Sequence, residues 1–294
     1  MVFSPAEQAA YFKSSTSTSF PYLEHVHQLW DGYSLVYNQI KGHYKFNTGY
    51  HVMIWVIAVS TTVEYGLKSL YETLLGNFTD TGASLTEEDK FNARYTQSYV
   101  DFIETTPWYD FDFMAQLKNL WANTSLSGDH LIRKLERRYY LTTELLIKAG
   151  YGWLIGLGTE SAYEEALLNT AVILDKPFVK GDDIGGVKSV KILESRILTD
   201  FPRYAPFKEA AIAAAYKGIN FKEIAGNRSA ILLTVLTKEG KNIGSPDVKL
   251  VFTQPILTQP GMERIAIVTT VPKLSAVLRS FEDNGIVVEH IYDY

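Results

Sequence analysis

The sequence has no cysteine, which excludes disulfides, zinc–thiolate sites, iron–sulfur clusters and thiol catalysis in one step. It also lacks an apolar run of bilayer length. The most apolar window, HVMIWVIAVSTTVEYGL (residues 51–67), meets Ser60, Thr61, Thr62 and Glu64 after about a dozen residues, whereas a span takes roughly 20, so a buried core helix and no transmembrane span are expected. Nor does the N-terminal stretch show a basic segment followed by an apolar one, the mark of a signal peptide, and a cytoplasmic location is expected. Charge of one sign is not in excess: 28 Lys and Arg stand against 33 Asp and Glu, a formal net charge of −5, and nothing in that balance calls for nucleic acid.

Chemical fingerprints are missing as well. No G-x-S-x-G, Walker loop, H-E-x-x-H or dinucleotide-binding glycine pattern occurs in a supporting context. A di-iron bundle needs two Glu-x-x-His repeats, and only Glu24 to His27 appears. His25 and His27, two residues apart, point to different sides of a helix. The histidines are expected to be ordinary hydrogen-bonded side chains, with no metal and no cofactor. GDDIGG at 181–186 reads as a solvated turn. The basic run Arg133, Lys134, Arg137, Arg138, interrupted by Glu136, is expected to form a solvated, ion-paired helix face.

What is present is helical periodicity over the first 175 residues or so. Helices are expected from Pro5, over 22–40 and over 51–76, from a capping box at Thr86–Asp89 to about Ile103, near 110–122, over 129–156 and over 161–174. Beyond KPFVKGDDIGGVKS (176–189) the pattern changes to short β-branched runs with two helices, in the order β-α-β-β-β-β-α-β. The fold class is therefore α+β: a bundle-like multi-helix domain over 1–178, a linker over 179–188, and a ferredoxin-like α+β sandwich with an extra hairpin over 189–294. In element order alone, about the last hundred residues are similar in outline to small ferredoxin-like regulatory modules such as ACT domains. The loop LTDFPRYAP lacks the glycine at which such modules bind ligand, so the likeness supplies no site residues.

One stretch occurs twice. Residues 62–76, TVEYGLKSLYETLLG, and 142–156, TELLIKAGYGWLIG after Thr142, share Glu64/Glu144, Lys68/Lys148 and Tyr71/Tyr151 at positions that fall in one narrow arc of a helix. Two readings are open. Alternating charges at i, i+4 suit a solvent-exposed face. Alternatively the stripes face each other in an apolar, aromatic wall and form a pocket of Glu64, Lys68, Tyr71, Arg137, Tyr140, Glu144, Lys148 and Tyr151 for a small amphiphilic or anionic ligand. The first functional expectation is small-molecule binding there, with the C-terminal module serving regulation or homo-oligomer association through its sheet. A second is an enzyme with Glu144 or Glu64 as general base beside Lys148 and Tyr151; a third is a non-catalytic interaction or peripheral membrane protein.

Overall fold

The structure, a computed structural model, describes residues 3–42, 46–82, 84–159, 167–178, 184–193, 196–243 and 246–292. The chain divides into two compact units, Met1–Tyr163 and Glu164–Tyr294.

The first unit is helical: α1 Phe3–Phe12, α2 Tyr22–Ile40, α3 Thr48–Tyr71, α4 Asn77–Thr79, α5 Glu87–Ile103, α6 Phe113–Asn123 and α7 Leu131–Thr159. A π-turn, Glu72–Gly76, joins α3 to α4. Aromatic rings fill the core where a larger protein would use aliphatics. Phe12, Phe20, Tyr22 and Tyr65 form one cluster, and Phe91, Tyr95, Phe111, Phe113, Leu120, Leu141 and Leu145 another, with edge-to-face contacts such as Phe12–Phe20 at 5.8 Å. The capping box is formed as the sequence suggests: Thr86 Oγ1 accepts from the Asp89 amide while the Asp89 carboxylate accepts from the Thr86 amide. His25 stacks on Phe20 and His51 is buried against Tyr33, so both work in packing.

The second unit contains β1 Asn169–Leu174, β2 Lys188–Leu193, β3 Arg196–Pro202, α8 Ala205–Tyr216, β4 Phe221–Ile224, β5 Ala230–Lys238, β6 Lys249–Pro255, β7 Met262–Thr270, α9 Leu274–Asp283 and β8 Val287–Ile291. The strands pair as two antiparallel sheets, ordered β2-β3-β1-β4 and β6-β7-β5-β8. Adding four to each strand of the first gives the second. The unit is a tandem duplication of one βββαβ module, and both copies contribute to one core, with Phe201, Phe207 and Phe221 from the first and Leu233, Ile267 and Phe281 from the second. In each copy the strands before and after the helix flank the same central strand and pair antiparallel to it. They are thus parallel to one another, and only a crossover element such as a helix can connect them.

The duplication revises three expectations. One ferredoxin-like sheet with both helices on a face is replaced by two four-stranded sheets with one helix each. Residues 169–174 form a strand and not the end of a helix over 161–174; Thr170, Val172 and Ile173 are β-branched, and so short an apolar run does not reveal its period. The division of the chain accordingly falls at 163/164 and not at 178, and β1 lies before the stretch expected to be a linker, of which 179–183 are outside the described residues.

The clearest sequence echo between the copies is Gly218-Ile219 and Gly285-Ile286, each entering the last strand of its module. Both glycines have positive φ, 67° and 63°, at the helix exit, and the following isoleucine is buried. Gly218→Ala and Gly285→Ala are each expected to lower stability by about 1–2 kcal/mol in chemical denaturation, because a Cβ disfavours the left-handed region.

Candidate functional site

Helices α3 and α7 run antiparallel, joined by ion pairs whose numbers rise on one helix as they fall on the other: Glu64 with Lys148, Lys68 with Glu144, Glu72 with Arg137. The first four side chains form a square of alternating charge. Lys68 Nζ lies 3.0 Å from both Glu64 Oε1 and Glu144 Oε1; Lys148 Nζ lies 3.2 Å and 3.0 Å from the same two atoms. Lys68 and Glu144 are enclosed, Lys148 is one-fifth exposed, and Glu64 closes the square at its rim with 41% of its side chain exposed.

Electrostatics hold this square charged. Burial disfavours the Glu144 carboxylate, yet Lys68 and Lys148 outweigh it and keep its pKa below the ordinary range; Glu64 is lowered by Lys148 and Lys68 against the same penalty. In return Glu144 and Glu64 hold the Lys68 ammonium well above its usual pKa, and Lys148 is raised by Glu64, Tyr95 and Glu144. Phenols surround the square. Burial pushes the Tyr65 hydroxyl up to about 12 and raises Tyr22, Tyr95, Tyr99 and Tyr140 as well. The ammonium of Lys148 lies 5.3 Å from the Tyr99 ring centre, within cation–π range. The Tyr95 hydroxyl is buried with no hydrogen-bond partner among the described residues.

Two turns before Glu144 on α7, Arg137 is fully buried. Its guanidinium reaches Glu72 Oε1 at 2.7 Å, Glu136 and the Ser17 hydroxyl at 2.6 Å, and packs on the rings of Tyr140 and Tyr71 at 4.9 and 5.6 Å. Glu72 opens the π-turn, and Gly76 makes room for its carboxylate: a Cβ there would sit 2.0 Å from Glu72 Oε2. Arg133 binds the capping-box carboxylate of Asp89 at 2.9 Å, and Arg138 binds Glu88 at 2.9 Å and the Thr124 carbonyl at 2.8 Å.

Seven of the eight residues expected at the site thus come together in two adjoining groups: Glu64, Lys68, Glu144 and Lys148 in the square, and Arg137, Tyr140 and Tyr71 beside it, the two rings tilted against each other at 4.6 Å. Tyr151 does not join them; it is 44% exposed and stacks on Trp108. The basic run on α7 is a correction. Arg133, Lys134, Arg137 and Arg138 are 1, 8, 0 and 4% exposed, so the ion pairing expected of them is present but the solvated face is not. Glu72, Glu88, Asp89 and Glu136 were not among the expected site residues. Buried cations demand partners, a demand that becomes visible only once their burial is known.

With its charges directed inward, the pair of helices directs its apolar side chains outward. On α3 and its continuation, Val56, Val59, Val63, Leu67, Leu70 and Leu74 recur at helical spacing and are 52–63% exposed. On α7 the same holds for Ile132, Leu135, Tyr139, Leu146, Trp153 and Leu157, up to 75% exposed. Of the 34 large apolar side chains exposed among the described residues, 22 lie on α3, its continuation to Thr79, and α7, and five in the second unit. Large contiguous apolar surface is uncommon on a water-facing monomer, and clusters of exposed apolar side chains mark interaction surfaces. At one end of it lies an open cavity of about 310 Å³, lined by Phe78, Thr79, Ile132 and Arg133, away from the square. No helix among the described residues is long and apolar enough to cross a membrane.

No family model, no curated protein and no solved structure matches the chain.

Arg137→Met leaves Glu72 buried beside one fewer cation and is expected to cost about 3–5 kcal/mol in denaturant unfolding, with Arg137→Lys restoring only part of it. Gly76→Ala is expected to cost about 1–3 kcal/mol by overpacking. Acid sensitivity has a definite sign. Glu144 has a lower pKa folded than unfolded, so its contribution is present above about pH 4.3 and is lost as pH falls through the folded value. Lys68 and Lys148 are raised, so theirs is complete below about pH 10.4 and is lost as pH rises through the folded values. Urea midpoints should therefore be level between these limits and fall outside them.

Proposed function

We propose that the helical unit is a peripheral membrane module, which seats the apolar outside of α3 and α7 in the interface of a bilayer without crossing it. The observation that carries this reading is the inverted polarity of the two helices. Glu64, Lys68, Glu72, Arg133, Lys134, Glu136, Arg137, Arg138, Glu144 and Lys148 bond to neighbours within the unit, while valine, leucine, isoleucine and tryptophan face out. A bundle more polar between its helices than around them is suited to surroundings more apolar than water.

The small-ligand and enzyme readings draw on the same residues and gain less from them. Each ammonium of the square already faces two carboxylates, and Arg137 already holds two carboxylates and a hydroxyl, which leaves little cationic capacity for an anion. A general base works best with a pKa near the working pH, and Glu144 and Glu64 are displaced in the opposite direction.

Flotation of the full chain with phosphatidylcholine vesicles tests the proposal. The protein is expected to rise with the vesicles, and Leu67→Glu combined with Leu146→Glu, both at exposed positions, is expected to leave it at the bottom with its circular dichroism unchanged. Wild-type protein that stays at the bottom, or that sequesters the face in a discrete oligomer indifferent to vesicles, would overturn it.

A further inference from the structure

The inverted helices also constrain which lipid surface they suit, an inference that rests on the membrane reading above. Attraction to an anionic leaflet requires basic side chains free to approach headgroups. On α3 and α7 these are Lys68, Arg133, Lys134, Arg137, Arg138 and Lys148; each is bonded within the unit, and all but Lys148 are buried. Arg137 and Arg138 bind Glu72 and Glu88, Arg133 binds Asp89, the two outer lysines lie in the square, and Lys134 donates to the Ser127 carbonyl at 2.6 Å. The net charge of −5 supplies no attraction to an anionic surface either.

A second observation fixes a direction. Trp55 precedes Glu64 on α3, and Trp153 follows Lys148 on α7; because the helices are antiparallel, both lie beyond the same end of the square. Trp55 is 45% and Trp153 69% exposed. Tyr33 contacts Trp55, and Tyr151 stacks on Trp108, at that end too. Tryptophan and tyrosine concentrate where a bilayer changes from hydrocarbon to headgroup, since their rings are amphipathic. Lys41, the described basic residue at the end of α2 beside this group, donates to Asn38 Oδ1 at 2.8 Å and lies 6.0 Å from the Tyr37 ring.

We infer that the surface this unit takes is an electroneutral, zwitterionic bilayer, bound by apolar partition alone, with the Trp55 and Trp153 end at headgroup depth. Binding therefore does not depend on ionic strength or on acidic lipid.

The experiment is a partition measurement of the full chain on vesicles of phosphatidylcholine and of a phosphatidylcholine–phosphatidylserine mixture, each at low and high salt. It is joined to quenching of tryptophan emission by lipids labelled at shallow or deep positions. The expected result is an equal bound fraction under all four conditions, with shallow labels quenching more than deep ones and with that excess lost in the Trp55→Phe, Trp153→Phe double variant. Binding that needs phosphatidylserine and disappears at high salt would overturn this inference while leaving the membrane reading in place. Binding that is independent of salt but quenched mainly by deep labels, or equally in the double variant, would overturn the orientation. Absence of binding to either vesicle would remove the membrane reading and this inference with it.

Discussion

Helices α3 and α7 are tied together through charge, and the rest of the helical unit is arranged around that fact. An ion buried alone is heavily penalised, and the arginines and Lys148 on α7 each receive an anion from a neighbouring element, while Lys134 donates to the Ser127 carbonyl. The square takes Glu64 from α3, Arg137 takes Glu72 from the π-turn, Arg133 takes Asp89 from the start of α5, and Arg138 takes Glu88 one residue earlier. Pairing of this kind fixes register as well as proximity. Sliding α3 by one residue against α7 would rotate the carboxylates away from their partners by about 100°. The helix start of α5 is constrained twice over, since Asp89 both closes the capping box and receives Arg133.

The same pairing explains a local irregularity. Glu72 stays in phase with Glu64 and Lys68 at four-residue steps and opens the π-turn, and the glycine four residues on leaves space for its carboxylate. Local sequence and backbone shape here accommodate one buried charge. Arg137, gripped by Glu72, Glu136 and Ser17 and packed on Tyr71 and Tyr140, is the point at which α1–α2 loop, α3 continuation and α7 meet.

How much of this could be read from the sequence depended on whether the signal was local. The capping box was legible because its four residues carry the whole mechanism, and the twin Glu–Lys stripes were legible because i, i+4 spacing survives any environment. Their burial was not. The basic run on α7 was taken for a wet face because charge usually means water, and the outward leucines and valines that contradict this were equally compatible with a core. The partners of the run, Glu72, Glu88 and Asp89, lie some 44 to 65 residues away in the chain, and only folding brings them near. In the second unit the individual strands after residue 188 were mostly legible, but the duplication was not. Its two copies share topology, a helix-exit glycine and an isoleucine, whereas the single strand expected before the first helix, where β2 and β3 form a hairpin, and a strand read as a helix concealed the repeated order.

Inverted polarity also connects stability with surroundings. Coulombic attraction strengthens as the local dielectric falls, and water screens most where it reaches the pairs. Here the most exposed member is Glu64, at the rim of the square on the same helix as the exposed apolar arc. An apolar layer against that arc would exclude water from the rim and raise the effective strength of all four contacts together, at little further desolvation cost for Lys68 and Glu144, which are already enclosed. The charges between the helices and the apolar residues outside them are therefore complementary parts of one arrangement. The interior is held by interactions that gain from a low dielectric, and the exterior is composed to seek one.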